Sequence, residues 1–138
     1  MITGLIFIAV IGVLVLVHEW GHFIMARRAG MKVEEFGFGF PPRLFGIKKG
    51  ETIYSMNWIP FGGFVKILGE DGDQRDNPGS FGSKSISSRL KVIVAGVVMN
   101  ILFAILLLTS GNFFGLRIGL FDEEMIASAR DKKIQILQ

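Results

Sequence analysis

Two long apolar runs with a mixed, glycine-rich stretch between them dominate the pattern along this chain. From Ile2 to Val17 no charged residue occurs, and apolar side chains continue through a short polar interruption to Met25. At about 1.5 Å per residue those 24 positions make a helix roughly 36 Å long, enough to cross a bilayer. The second run, Val92 to Leu108, is 17 residues, and Leu90, Thr109 and Ser110 extend it towards a full span. The first helix is predicted to end near Ala29, with Gly30 as its C-cap and Arg27 and Arg28 beside its negative end. The second is predicted to start near Arg89, with Ser87 or Ser88 as N-cap.

Between the helices the period changes. Phe36 to Phe40 alternates phenylalanine with glycine and is followed by Pro41-Pro42, which favours extended backbone and excludes helix. Thr52 to Trp58 alternates, with Tyr54, Met56 and Trp58 on one face, and Phe64 to Leu68 follows the turn Pro60-Phe61-Gly62-Gly63. Val33–Phe40, Thr52–Trp58 and Phe64–Leu68 are therefore expected to form a small sheet of three short strands at the membrane surface. Backbone at that depth needs protein or a watery cavity around it. Glu70 to Ser88 reads as a solvated loop. Its carboxylates Glu70, Asp71, Asp73 and Asp76 lack the spacing of a calcium loop.

The expected class is a mainly α integral membrane protein. Residues 1–29 and 89–110 are the transmembrane helices, 30–69 a membrane-associated β region, 70–88 a cytoplasmic loop and 111–138 an extracytoplasmic stretch. In that last stretch, 113–119 is expected to skim the outer interface, and 122–138 to be amphipathic, a short helix followed by a strand. Half of all residues are apolar, which agrees with two spans in 138 residues. A cleavable leader would carry basic residues before its apolar core, and none precedes Arg27.

Charge adds orientation. Arg27 to Lys91 holds 11 Lys and Arg against 7 Asp and Glu, whereas 109–138 is balanced at 4 and 4. The positive-inside rule places the connecting segment in the cytoplasm and both termini outside. The net charge of +3 thus reads as topology, and no basic cluster interleaved with aromatics points to nucleic acid. Cysteine is absent, which removes disulfides and thiolate zinc sites.

The polar interruption in the first run is His18-Glu19-Trp20-Gly21-His22, and it contains both histidines of the chain. Histidines four apart lie one above the other on a helix, so both imidazoles reach one metal ion. A glutamate next to the first can accept a proton from water that the metal has made acidic. Ionisable residues inside a lipid-length run are costly and mark function by default. On the second run Gly96 and Asn100 share one face four residues apart. A glycine there admits close helix approach, and an asparagine in lipid needs a polar partner.

Taken together with Gly37-Phe38-Gly39, the run Tyr54-Ser55-Met56-Asn57-Trp58-Ile59-Pro60-Phe61-Gly62-Gly63-Phe64-Val65-Lys66, Gly69-Glu70-Asp71, Phe81, Lys84, Arg89 and Ala95-Gly96 with Asn100, this motif resembles the site-2 protease family of intramembrane zinc metalloproteases. The likeness covers about Leu14 to Leu108 and is strongest to the bacterial branch that cleaves anti-sigma factors. It implies that His18 and His22 bind Zn2+ and that Glu19 activates water. It also implies that Gly37, Phe38, Gly39, Gly96 and Asn100 position substrate. The implied partners are the lipid bilayer of a bacterial inner membrane and a single-span, anti-sigma-factor-like substrate.

In that family a proline usually follows the glycine of the second helix, where this chain has Val97. The family's third zinc ligand is an aspartate in a later transmembrane helix, and Asp71, Asp73, Asp76, Asp122 and Asp131 all lie outside the apolar runs. The resemblance therefore implies an N-terminal half whose third ligand comes from a missing C-terminal half, and predicts that 1–138 alone is nearly inert. The competing reading is a truncated pseudoprotease that binds transmembrane helices without hydrolysing them. A soluble zinc protease would expose far too much apolar surface.

Overall fold

The structure, a computed structural model, describes residues 2–114. The outer ends of the expected layout, Met1 and the stretch 115–138 with its anticipated amphipathic helix and strand, lie outside the described residues. Four elements follow in order: α1 Ile2–Arg28, β1 Val33–Lys49, β2 Thr52–Ile67 and α2 Ile86–Phe113. The chain divides into two compact units, Met1–Phe103 and Ala104–Gln138. The apolar cluster, the sheet and the site described below belong to the first.

Helix α1 ends as its sequence predicts. Gly30 takes φ +67°, its N–H donates to the Arg27 carbonyl and the Met31 N–H donates to Ala26. This paired closure satisfies carbonyls left over at the helix end. The start of α2 differs from expectation. Ser85, not Ser87 or Ser88, is the cap: its Oγ accepts from the Ser88 N–H at 3.3 Å and lies 3.0 Å from the Ser88 hydroxyl. The helix begins a turn earlier than Arg89 because Ser85 is the serine whose side chain reaches the third N–H of the first turn.

The sheet keeps the three expected segments as neighbours and adds a fourth. They run as two long antiparallel strands, each bent midway. The first half of β1 lies between both halves of β2, Phe36 pairing with Val65 and with Tyr54 and Phe38 with Gly63 and with Met56, while the second half of β1 pairs Phe45 with Met56 and Lys49 with Thr52. Pro41-Pro42 and Pro60 lie at the bends where the strands double back and have no partner in the register, which suits a residue that cannot donate to a ladder. Buried Asn57 secures the bend, its amide donating to the carbonyls of Phe38 and Gly39 at 3.3 and 3.0 Å.

A compact apolar cluster joins the end of α1 to the sheet and to α2. Phe23, Ala26, Met31, Val33, Ile67 and Val92 form its buried centre. Trp20, Phe23, Phe36 and Tyr54 make an aromatic set around it, with Trp20 stacked on Phe23 at 5.3 Å and edge-on to Phe36 at 5.7 Å. The loop after β2 is mostly exposed, but it is not free of the core. Lys32 N–H donates to Gly79 and Phe81 N–H to Leu68, and Ser80 between them is fully buried.

Beyond this cluster the helices present apolar surface. Ile2, Leu5, Ile6 and Phe7 are each more than half exposed, as are Ile93, Val97 and Ile101. Both helices are long and apolar enough to cross a membrane. At the bend of the sheet Leu44, Phe45, Trp58 and Phe61 are likewise exposed.

The cluster carries the first expected outcome. Phe23→Ala removes the one ring of its buried centre and should cost about 3–5 kcal/mol, whereas Leu5→Ala on the exposed outer part of α1 should cost far less. Thermal unfolding of both variants in the same detergent checks this. Equal losses would show that the cluster does not hold α1 to the sheet.

Candidate metal centre

The aromatic cluster fixes the rotation of α1, and with it the direction of the histidines. Trp20 and Phe23 face the sheet, which turns His18 and His22 towards α2. The two imidazoles lie edge to face, 4.8 Å between centroids, as a one-turn separation dictates.

Small residues let α2 come close. A Cβ on Gly21 would stand 2.5 Å from the Ala95 carbonyl oxygen, so at this crossing backbone meets backbone. The next residue on α2, Gly96, faces both rings. The point where its Cβ would lie is 2.5 Å from Nε2 of His18 and 2.6 Å from Nε2 of His22. Two ring nitrogens thus converge on one small space that any side chain at 96 would fill.

The second nitrogen of His22 is engaged elsewhere. Its Nδ1–H donates to the Val92 carbonyl at 2.7 Å, which fixes the ring and leaves Nε2 with its lone pair towards Gly96. That is the arrangement a metal-binding histidine needs. Nδ1 of His18 lies 3.5 Å from the amide nitrogen of Asn100. The donor set, two imidazole nitrogens and no thiol, suits zinc, which takes nitrogen at about 2.0–2.1 Å. Among the described residues no group of three or more His, Cys, Asp or Glu is placed to hold a metal.

Glu19 points to a different side of α1. A Cβ on Gly63 of β2 would lie 3.3 Å from its Cγ. Glu19 lies between two clefts of about 300 Å³ each. One is bounded by His18, Asn100 and the apolar side chains Ile11, Leu14 and Val15. The other is bounded by His22, Gly63, Phe64, Val65 and Glu70. Desolvation against the wall of this second cleft, with Asp71 adding to it, raises the Glu70 pKa above that of an ordinary glutamate, although the residue keeps solvent contact.

Gly37, Phe38 and Gly39 are not brought to the imidazoles and line neither cleft. Their compactness serves the sheet. A side chain at 37 would run into the Phe64 ring, and one at 39, where φ is +77°, into the Ile59 carbonyl. Sequence reading singled out Gly96 and Asn100 but missed Gly21, Gly63 and the Val92 carbonyl. Gly21 carried a faint signal as the small residue inside the motif. A backbone carbonyl carries none.

The chain matches peptidase family M50 over residues 6–136. It is 46% identical over 116 residues to a protein of Clostridium perfringens named as a zinc metalloprotease, covering 83% of this chain and 33% of that one. The zinc metalloprotease RasP of Oceanobacillus iheyensis is 54% identical over 71 residues, 51% of this chain and 17% of the relative. The regulator of sigma-W protease RasP of Bacillus subtilis is 48% identical over 69 residues, 50% of this chain and 16% of the relative. The chain thus spans a third or less of the length of these curated relatives.

Proposed function

The chain belongs to peptidase family M50, and from that premise we propose that it supplies the histidine pair and the general base of a membrane-embedded zinc endopeptidase. The observation that carries this reading is the convergence of His18 Nε2 and His22 Nε2 on one space beside Gly96. These two residues hold zinc, and a third protein ligand joins from outside the described residues. When bound, zinc supplies the Lewis acidity that makes water nucleophilic at neutral pH and polarises the scissile carbonyl.

Glu19 takes the proton from the attacking water and passes it to the leaving amine. Its position between the two clefts suits both tasks, since His18 borders one of them and His22 and the sheet border the other. Gly37, Phe38 and Gly39 act through the sheet they shape, which offers an extended surface to a substrate strand. A helical peptide bond is shielded by its own hydrogen bonds, so the substrate must unwind before cleavage.

The substrate class follows from the surroundings. The motif interrupts an apolar helix, and a relative's name refers to regulation of a sigma factor. Single-span membrane proteins of the anti-sigma-factor kind fit both. Cleavage of such a substrate in detergent, by the gene's complete product, tests the reading. Zinc chelation should abolish it and zinc should restore it. Activity that survives chelation would overturn the proposal, and residues 1–138 alone should be nearly inert.

In this reading α1 and α2 cross the cytoplasmic membrane of a bacterium, residues 30–69 lie at its inner face and 70–88 in the cytoplasm. The excess of basic residues between Arg27 and Lys91 supports that orientation. A reporter that fluoresces only in the cytoplasm should be bright when fused after residue 75 and dark after residue 114. The reverse pattern would overturn the topology.

A further inference from the structure

The two imidazoles are held differently, and the difference identifies a role for Asn100. His22 donates through Nδ1 to the Val92 carbonyl, so its Nε2 is bare. At His18 the neighbour of Nδ1 is the Asn100 amide nitrogen, at 3.5 Å, which can only donate. That pairing would make Nδ1 the acceptor and put the ring proton on Nε2, the atom facing Gly96. Meanwhile the other end of the same amide, Oδ1 of Asn100, is buried without a hydrogen-bond partner among the described residues.

The mismatch at His18 has one remedy. The oxygen and nitrogen of an asparagine amide have almost the same shape, and a half-turn about the last side-chain bond exchanges them. Oδ1 then accepts from Nδ1–H of His18, Nε2 of His18 becomes bare like that of His22, and the amide NH2 takes the buried position that has no partner among the described residues. We propose that Asn100 is a positioning residue whose carbonyl oxygen holds His18 in the Nδ1–H form, so that Nε2 faces the metal. It does for His18 what the Val92 carbonyl does for His22. The two supports are eight residues apart on α2, about two turns, and the two histidines are about one turn apart on α1. One helix thereby orients both ligands of the other, with Gly96 between the supports. The inference rests on the metal-site reading above.

Zinc affinity of the complete protein, measured by competition with a chromophoric chelator, is the first test. Asn100→Leu keeps the bulk and removes the acceptor, and should weaken binding roughly 10–100-fold, as loss of such outer partners does. Asn100→Asp keeps an oxygen acceptor and should stay within a few-fold of the parent. His18→Ala is the reference for losing the ligand itself. Wild-type affinity in Asn100→Leu, with His18→Ala impaired, would overturn the role of Asn100 while leaving the metal site standing. An Asn100→Asp variant as weak as Asn100→Leu would reduce the residue to packing and overturn the proposal too. Unchanged affinity in His18→Ala would overturn the metal site and this role with it. Should a variant fail to fold, the ¹⁵N shifts of the His18 ring in metal-free parent protein decide: a proton on Nδ1 is expected, and a proton on Nε2 would overturn the assignment.

Discussion

Glu19→Gln, in the complete protein, is expected to lower cleavage of a transmembrane substrate by about 10²–10⁴-fold, the usual contribution of a positioned general base, with zinc content unchanged. Glutamine has the shape of glutamate but cannot take a proton from water. The side chain stands against Gly63 of β2, not in the space shared by the two Nε2 atoms, so the change leaves the histidine pair intact. Substrate turnover measured beside metal analysis separates the two effects. A variant that loses zinc along with activity would make Glu19 a ligand and not a base. One that keeps most activity would remove it from the mechanism.

Gly96→Val should abolish stable zinc binding and activity together. Even the first carbon of a side chain would lie 2.5 and 2.6 Å from the two ring nitrogens, inside any tolerable contact, and the neighbours are rings fixed from behind by Val92 and Asn100. The space that the change fills is the one the proposed metal site requires. Gly96→Ala should do nearly as much, with a loss of zinc affinity on the order of 100-fold, at the upper end for a residue that shapes a site without ligating. Gly4→Ala and Gly12→Ala are the controls, since nothing lies within 4 Å of a Cβ at either position. Metal analysis and chelator competition on the purified variants give the answer. Full zinc occupancy in Gly96→Val would mean that the two Nε2 atoms do not share an ion.

The places where sequence reading fell short have local physical causes. Ser85, Ser87 and Ser88 have the same capping chemistry, and what selected Ser85 was the direction of the chain entering α2. Prolines at 41, 42 and 60 and glycines around them end a strand or bend it with equal ease. The bend prevails here because Asn57 captures the carbonyls of Phe38 and Gly39 that a bend exposes. The loop after β2 reads as solvated from its polar composition, yet burial of Ser80 and two backbone hydrogen bonds tie it to the core. Each outcome depends on a partner distant in sequence.

Whatever a single helix decides is legible along the chain. Lipid-length apolar runs, the one-turn spacing of His18 and His22 and the glutamate between them need only helical geometry. The ordered set of short motifs was enough to bring out the resemblance to a protease family, in agreement with the family match. Which way that helix turns and what stands behind each ring came from packing between elements. Trp20 and Phe23, locked against Phe36, set the rotation of α1, and the contact of Gly21 with the Ala95 backbone sets how near α2 comes. At that distance a bare glycine at 96, a carbonyl at 92 and an amide at 100 all meet two imidazoles from one helix face. The physical reason is that spacing along a chain specifies directions within an element, whereas the distance between elements is set by packing, which no single segment encodes.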